Sequence, residues 1–130
     1  MDRLDDEEWR WRPTPDDRLT LSWRLQHIAD MLSEERNGPW LGAGTERPKR
    51  RVHATAQDAL ADIEAGYEYL VRILTTVTDA SLAEGIGSAA GIYGDATRFS
   101  FGLHLFDELV HHTAECALLR DLYPVGRREL

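Results

Sequence analysis

A chain of 130 residues with 42% hydrophobic content is sized for one domain around one core, and no apolar run approaches the ~20 residues of a membrane span. A net charge of −8 argues against a nucleic-acid surface, which neutralises phosphates with clustered Lys and Arg. The lone Cys116 excludes an internal disulfide framework, and the acidic N-terminus lacks the apolar core of a signal peptide, so a reducing, cytoplasmic setting is predicted.

Residues 1–18 are highly charged and are broken by Pro13 and Pro15. Each proline pushes its predecessor toward extended backbone, which predicts an irregular arm, with Trp9 and Trp11 pinning it to the body or lining a pocket. The first main helix is predicted over about residues 19–36, where Leu21, Leu25, Ile28 and Leu32 recur every three or four positions and Asn37-Gly38-Pro39 supplies a stop. His27 falls inside this pattern, one turn from both Trp23 and Met31, and reads either as a core histidine or as a ligand. Residues 38–53 make a Gly- and Pro-rich loop long enough to suggest a site-lining role. Within it Trp40 is an anchor and His53 a surface residue, while Arg47, Lys49, Arg50 and Arg51 form a basic knot, solvated or anion-binding.

A second helix is predicted over residues 55–77, with Thr55 and Asp58 spaced as a capping box. Leu60, Ile63, Tyr67, Leu70, Val71 and Leu74 make its expected buried face. Gly66 costs about 1 kcal/mol against Ala in such a helix and admits a close neighbour. Residues 78–96 hold Gly85, Gly87, Gly91 and Gly94, but no strand precedes them and no Lys-Ser/Thr follows. They read as a flexible connection or lid rather than a phosphate loop. Thr97 caps a final helix of about seven turns over residues 98–123, which Pro124 and Gly126 end. With no β alternation along the chain, the fold class is all-α.

That final helix carries Phe101, Leu105, Leu109 and Leu119 at helical spacing, and beside them His104, Glu108 and His112, each four residues from the next. Residues four apart stack on one face, so Glu108 and His112 reach toward one point. On a mostly apolar helix such groups must be hydrogen-bonded, paired or bound to a cation. Two imidazoles and a carboxylate, with His27 from another helix as the third donor, suit Zn²⁺, Ni²⁺, Fe²⁺ or Mn²⁺ and leave positions open for water or substrate. His104 and His111 are the candidates for acid/base work, and Glu115, three residues past His112, can orient its ring. Cys116 reads as a small buried hydrophobe.

At WRLQHIADML and LHLFDELVHHTAECALLRDLY the chain resembles the DinB/YfiT-like superfamily of up-down four-helix bundles, and its Glu-x-x-x-His pair resembles the metal-binding domain of mycothiol-dependent maleylpyruvate isomerase. The resemblance implies His27, Glu108 and His112 as ligands of a divalent transition metal, zinc first among them. It further implies a thiol S-transferase or isomerase in which mycothiol or bacillithiol attacks a small electrophile. Such bundles begin with one further helix before the DEEWRWRPTP arm, whereas this sequence opens on the arm itself. Three helices leave an apolar groove. A homodimer, with or without exchanged elements, is the expected way to fill it, and a rearranged arm is the other. The contrasting expectation is a non-catalytic interaction protein in which the His27, Glu108 and His112 set is a metal-free hydrogen-bond network.

Overall fold

A computed structural model describes residues 4–128; the first three residues of the predicted arm and the last two of the polar tail lie outside the described residues. The elements in order are α1 (Asp6–Arg10), a 3₁₀ turn at Asp17–Leu19, α2 (Leu21–Leu32), α3 (Asn37–Leu41), α4 (Ala56–Thr76), α5 (Asp79–Leu82), a 3₁₀ segment at Ser88–Tyr93, and α6 (Arg98–Arg128). Among the described residues there is no strand, only an isolated antiparallel bridge between Gly85 and Thr97. The fold is all-α. No helix among these residues is long and apolar enough to cross a membrane.

The central element is α2, packed on one side against α4 and on another against α6. Thr20 caps its start by accepting from the Trp23 amide, and Leu21, Leu25, Ile28 and Leu32 bury the expected stripe. It ends at Leu32, short of residue 36, and the stop works through a side chain. The Asn37 amide, fully buried, donates to the carbonyls of Met31 at 2.8 Å and Leu32 at 3.2 Å, satisfying two orphan acceptors at the helix end. Asn37 then opens α3, so the loop predicted from residue 38 contains a helical turn. Gly42 closes that turn at φ 75°, a conformation that favours glycine.

In α4 Thr55 accepts from the Asp58 amide at 3.1 Å, as the spacing predicts, but the buried face is rotated from the expected one. Tyr67 and Val71, both expected on the buried face, are exposed, Tyr67 at 57%, while Tyr69 is 1% exposed and Ala59 and Ile73 are buried. The cause is Gly66. A Cβ there would stand 2.7 Å from the Cβ of Leu32, so α2 crosses α4 directly over this glycine and draws its helical neighbours Ala59, Leu70 and Ile73 inward. Tyr67 sits about 100° around from the contact.

The arm is less irregular than its prolines predict. Asp5 accepts from the Glu8 amide at 2.8 Å, and three acidic residues in the first turn of α1 suit its positive end. Glu8 is buried against Arg120 of α6 at 2.8 Å, Asp6 accepts from the Ala56 amide at 2.8 Å, and Trp9 is buried. The arm is therefore fixed to α4 and α6 at once. Trp11 meets Tyr123 edge-on at 5.5 Å, and a Cβ at Gly126 would lie 2.6 Å from its ring. This docking helps explain why α6 runs on through Pro124 and Gly126 to Arg128 rather than stopping at Tyr123: the last turns have a partner that offsets the backbone bond lost at Pro124.

The glycine-rich segment is held shut by backbone bonds, Ile86 to Ala96 and Gly87 to Gly94, each 2.9 Å. It buries Ile86 and Ala90, and Thr97 caps α6 through the Ser100 amide. Inside α6, Cys116 is fully buried, and burial pushes its thiol from 9.0 up to about 11. A raised thiol pKa stabilises the folded protein below the unfolded value, and that contribution is lost as pH climbs from about 9 through 11. The stability of wild type should therefore fall more steeply over this window than that of Cys116→Ala, as read by urea melts at each pH.

Candidate metal centre

Facing positions of α2 and α6 bring His27, Glu108 and His112 together, the one group of three metal-ligating side chains found among the described residues, with one donor atom from each lying within 4.8 Å of the others. His27 Nε2 is 3.0 Å from His112 Nε2, and His112 Nε2 is 3.1 Å from a Glu108 carboxylate oxygen. His112 is 8% exposed, and His27 and Glu108 are half-buried. Trp23, one turn before His27 on α2, stacks on its ring at 5.1 Å and fixes its plane.

The far side of His112 decides what its Nε2 can do. Nδ1 lies 3.0 Å from a Glu115 oxygen, and the other Glu115 oxygen is paired with Arg24 at 2.7 Å. A carboxylate held by a guanidinium takes the Nδ1–H, which leaves the Nε2 lone pair aimed at a carboxylate oxygen and a second imidazole. Burial and the neighbouring His112 hold His27 below the ordinary imidazole pKa, against a smaller opposing pull from Glu108, which favours its neutral, ligating form. Three acceptors converging this way need a proton or a cation between them. Separations of 3.0 and 3.1 Å lie near the donor–donor edges of an ion with bonds of about 2.1 Å, which are about 3.0 Å at right angles and about 3.4 Å at the tetrahedral angle. The donor set fits a divalent cation.

Beside the triad opens a cleft of about 320 Å³ lined by His27, Glu108, His104, Leu105, Met31, Asp30, Glu34, Arg36 and Arg50. His104 stands on its wall with its ring near Phe101 at 6.5 Å. His111 lies elsewhere, 63% exposed, its ring stacked on His112 at 4.9 Å and its Nε2 2.9 Å from Glu115. Arg24 was not singled out in the sequence, although it sits three residues before His27 and so shares its side of α2. A second centre was missed as well. His53 is buried rather than on the surface; its ring meets Asp62 at 2.9 Å and its amide donates to Gln26 at 3.1 Å. The basic knot is largely spent on structure, with Arg51 Nε donating to both Asp62 oxygens at 2.9 Å and Arg50 paired with Asp30 at 2.6 Å.

Neither a curated protein nor a solved structure matches the chain. A family model described as the DinB superfamily matches residues 1–116, a span that takes in α1 to α5 and every donor of the His27, Glu108 and His112 triad. The chain belongs to the DinB superfamily.

Proposed function

We propose that this chain is a divalent-metal-dependent enzyme of the thiol S-transferase or isomerase type, with His27, Glu108 and His112 as ligands and zinc as the best-suited ion among zinc, nickel, iron and manganese. The observation that carries the reading is the convergence of three lone-pair donors within 4.8 Å beside an open cleft. When bound, the ion would act as a Lewis acid and lower the pKa of a thiol placed in an open position. The rest falls to the chain. Glu115 and Arg24 hold His112 in the ligating tautomer, Trp23 keeps the His27 ring in plane, and Leu105 and Met31 shield the site from bulk water. His104 takes the S–H proton of a low-molecular-weight thiol such as mycothiol or bacillithiol. The sulfur then bonds to carbon of the electrophile, and the same proton goes to the atom that receives the displaced electron pair. His111 competes with His112 for Glu115 and so tunes the strength of that ligand.

The test is elemental analysis of tag-free protein purified without chelators, followed by a screen of thiols against small electrophiles that monitors loss of free thiol. Near one equivalent of transition metal and metal-dependent thiol consumption support the enzyme. No metal after loading with each of the four ions would leave the contrasting reading, a polar network inside an interaction protein.

The partner that accompanies this reading is a second copy of the chain. The outer surface of α6 exposes Phe99, Leu103, Phe106 and Val110 along its first half and Leu118, Leu122 and Val125, about a quarter-turn round, along its second, each between 43% and 69%. A standard interface takes about 800 Å² from each partner, and these side chains would supply its apolar part. Bulky residues flank Ala114 on both sides, so an antiparallel pair with its two-fold axis there would match Phe106 with Leu122 and Val110 with Leu118. Light scattering should report a dimer for wild type and a monomer for Phe106→Glu; a monomeric wild type at high micromolar concentration would remove this proposal.

A further inference from the structure

The cleft beside His27 and Glu108 is continuous in its lining with a second hollow of about 370 Å³, because Arg36 and His104 stand on the walls of both. The guanidinium of Arg36 lies over the Trp40 ring at 4.8 Å and over Phe101 at 5.4 Å, and its Nε donates to Glu34 at 3.1 Å. These contacts fix the plane of the fork. Its two terminal amino groups have no hydrogen-bond partner among the described residues. The other cation on the wall, Arg50, is already paired with Asp30.

A guanidinium resting on two adjoining aromatic rings loses little freedom on binding, and its planar fork matches a carboxylate. The hollow next to it is walled by Trp40, Phe101, Tyr93 and Ile86, with the Trp40 and Phe101 rings 4.9 Å apart and Trp40 and Tyr93 6.5 Å apart. Such walls suit a flat apolar body. Of the three acids on the cleft wall, Asp30 is paired with Arg50, Glu34 with the Nε edge of Arg36, and Glu108 is held against His112.

We propose that the cleft binds a small, flat carboxylic acid, its carboxylate on Arg36, its body against Trp40, Phe101 and Tyr93, and its other end toward His104 and the donor triad. The proposal rests on the enzyme reading only for that reacting end; Arg36 and the aromatic walls are present without any ion. Trp40, read from sequence as a loop anchor, would then contact the ligand.

Benzoate is the probe, with benzamide as its neutral counterpart and inorganic phosphate as a second anion, each titrated by NMR into chelator-stripped and into zinc-loaded protein. Benzoate should bind saturably to both forms and benzamide about tenfold more weakly or worse. Arg36→Gln should weaken benzoate about tenfold, with Arg36→Lys in between. Trp40→Leu should weaken it while the helical spectrum is kept, and this variant serves if Arg36→Gln fails to fold. Benzoate and benzamide binding alike, benzoate binding unchanged in Arg36→Gln, or phosphate binding more tightly than benzoate would each overturn the proposal. Because the stripped protein is titrated separately, Arg36-dependent benzoate binding with no metal uptake would sink the enzyme reading alone, and metal uptake without benzoate binding would sink this one alone.

Discussion

Replacing His112 with Ala should abolish stoichiometric metal binding and leave the helical spectrum intact. His112 Nε2 is the shared neighbour of the other two donors, 3.0 Å from His27 and 3.1 Å from Glu108, so its removal leaves only two donors, carried by different helices. The fold should survive because His27 and Glu108, which lose their partner, are only half-buried and line the open cleft. Glu115 keeps Arg24 at 2.7 Å and His111 at 2.9 Å, and the converging acceptors no longer crowd one another. A finer variant separates ligand from orienter. Glu115→Gln keeps the size of the side chain but loses the charge that holds the Nδ1 proton, and metal affinity should fall about 10- to 100-fold without vanishing. Competition against a chromophoric chelator measures both variants. If wild type binds no metal and His112→Ala unfolds, the triad is a structural network and the proposed chemistry has no seat.

The parts of this arrangement that were legible in the sequence are those set by helical spacing. Four-residue steps place Glu108 under His112, and the stripe from Leu21 to Leu32 identifies the face of α2 that is buried; both follow from 3.6 residues per turn. What spacing cannot give is the rotation of one helix against another. Tyr67 and Tyr69 are two residues apart and equally apolar in pattern; a single close approach at Gly66 decides which is buried. Long-range pairing is invisible for the same reason. Glu8 with Arg120 and His53 with Asp62 join distant or loop-borne residues that show no periodic relation. The prolines of the arm were legible as punctuation, but the Asp5 cap and Glu8 that open α1 ahead of them were the stronger local signal. Arg36 stands only four residues from Trp40, but Phe101, the second ring under its guanidinium, comes from far along the chain, so spacing alone did not single it out.

Gly66→Ala should destabilise the protein by about 2 kcal/mol even though Ala is the better helix former by about 1 kcal/mol. The added methyl would stand 2.7 Å from Leu32 Cβ and 3.1 Å from Ser33 Oγ. Leu32 Cβ belongs to the root of a side chain and cannot swing aside, so α2 and α4 must separate along their shared contact. Separation loosens the packing of Leu32 and Ile73, both nearly inaccessible, and strains the Asn37 cap that closes α2 just beyond. Gly102→Ala is the matched control. Gly102 lies inside α6, where a Cβ would meet only Leu41 Cδ2 at 3.8 Å, an ordinary contact, so the propensity gain stands alone and stability should rise by up to about 1 kcal/mol. Urea melts with equal slopes compare the pair directly. Opposite signs for the two substitutions locate the helix crossing at Gly66; stabilisation by both would mean that α2 and α4 do not meet there, and that the rotation which buries Tyr69 in place of Tyr67 has another cause.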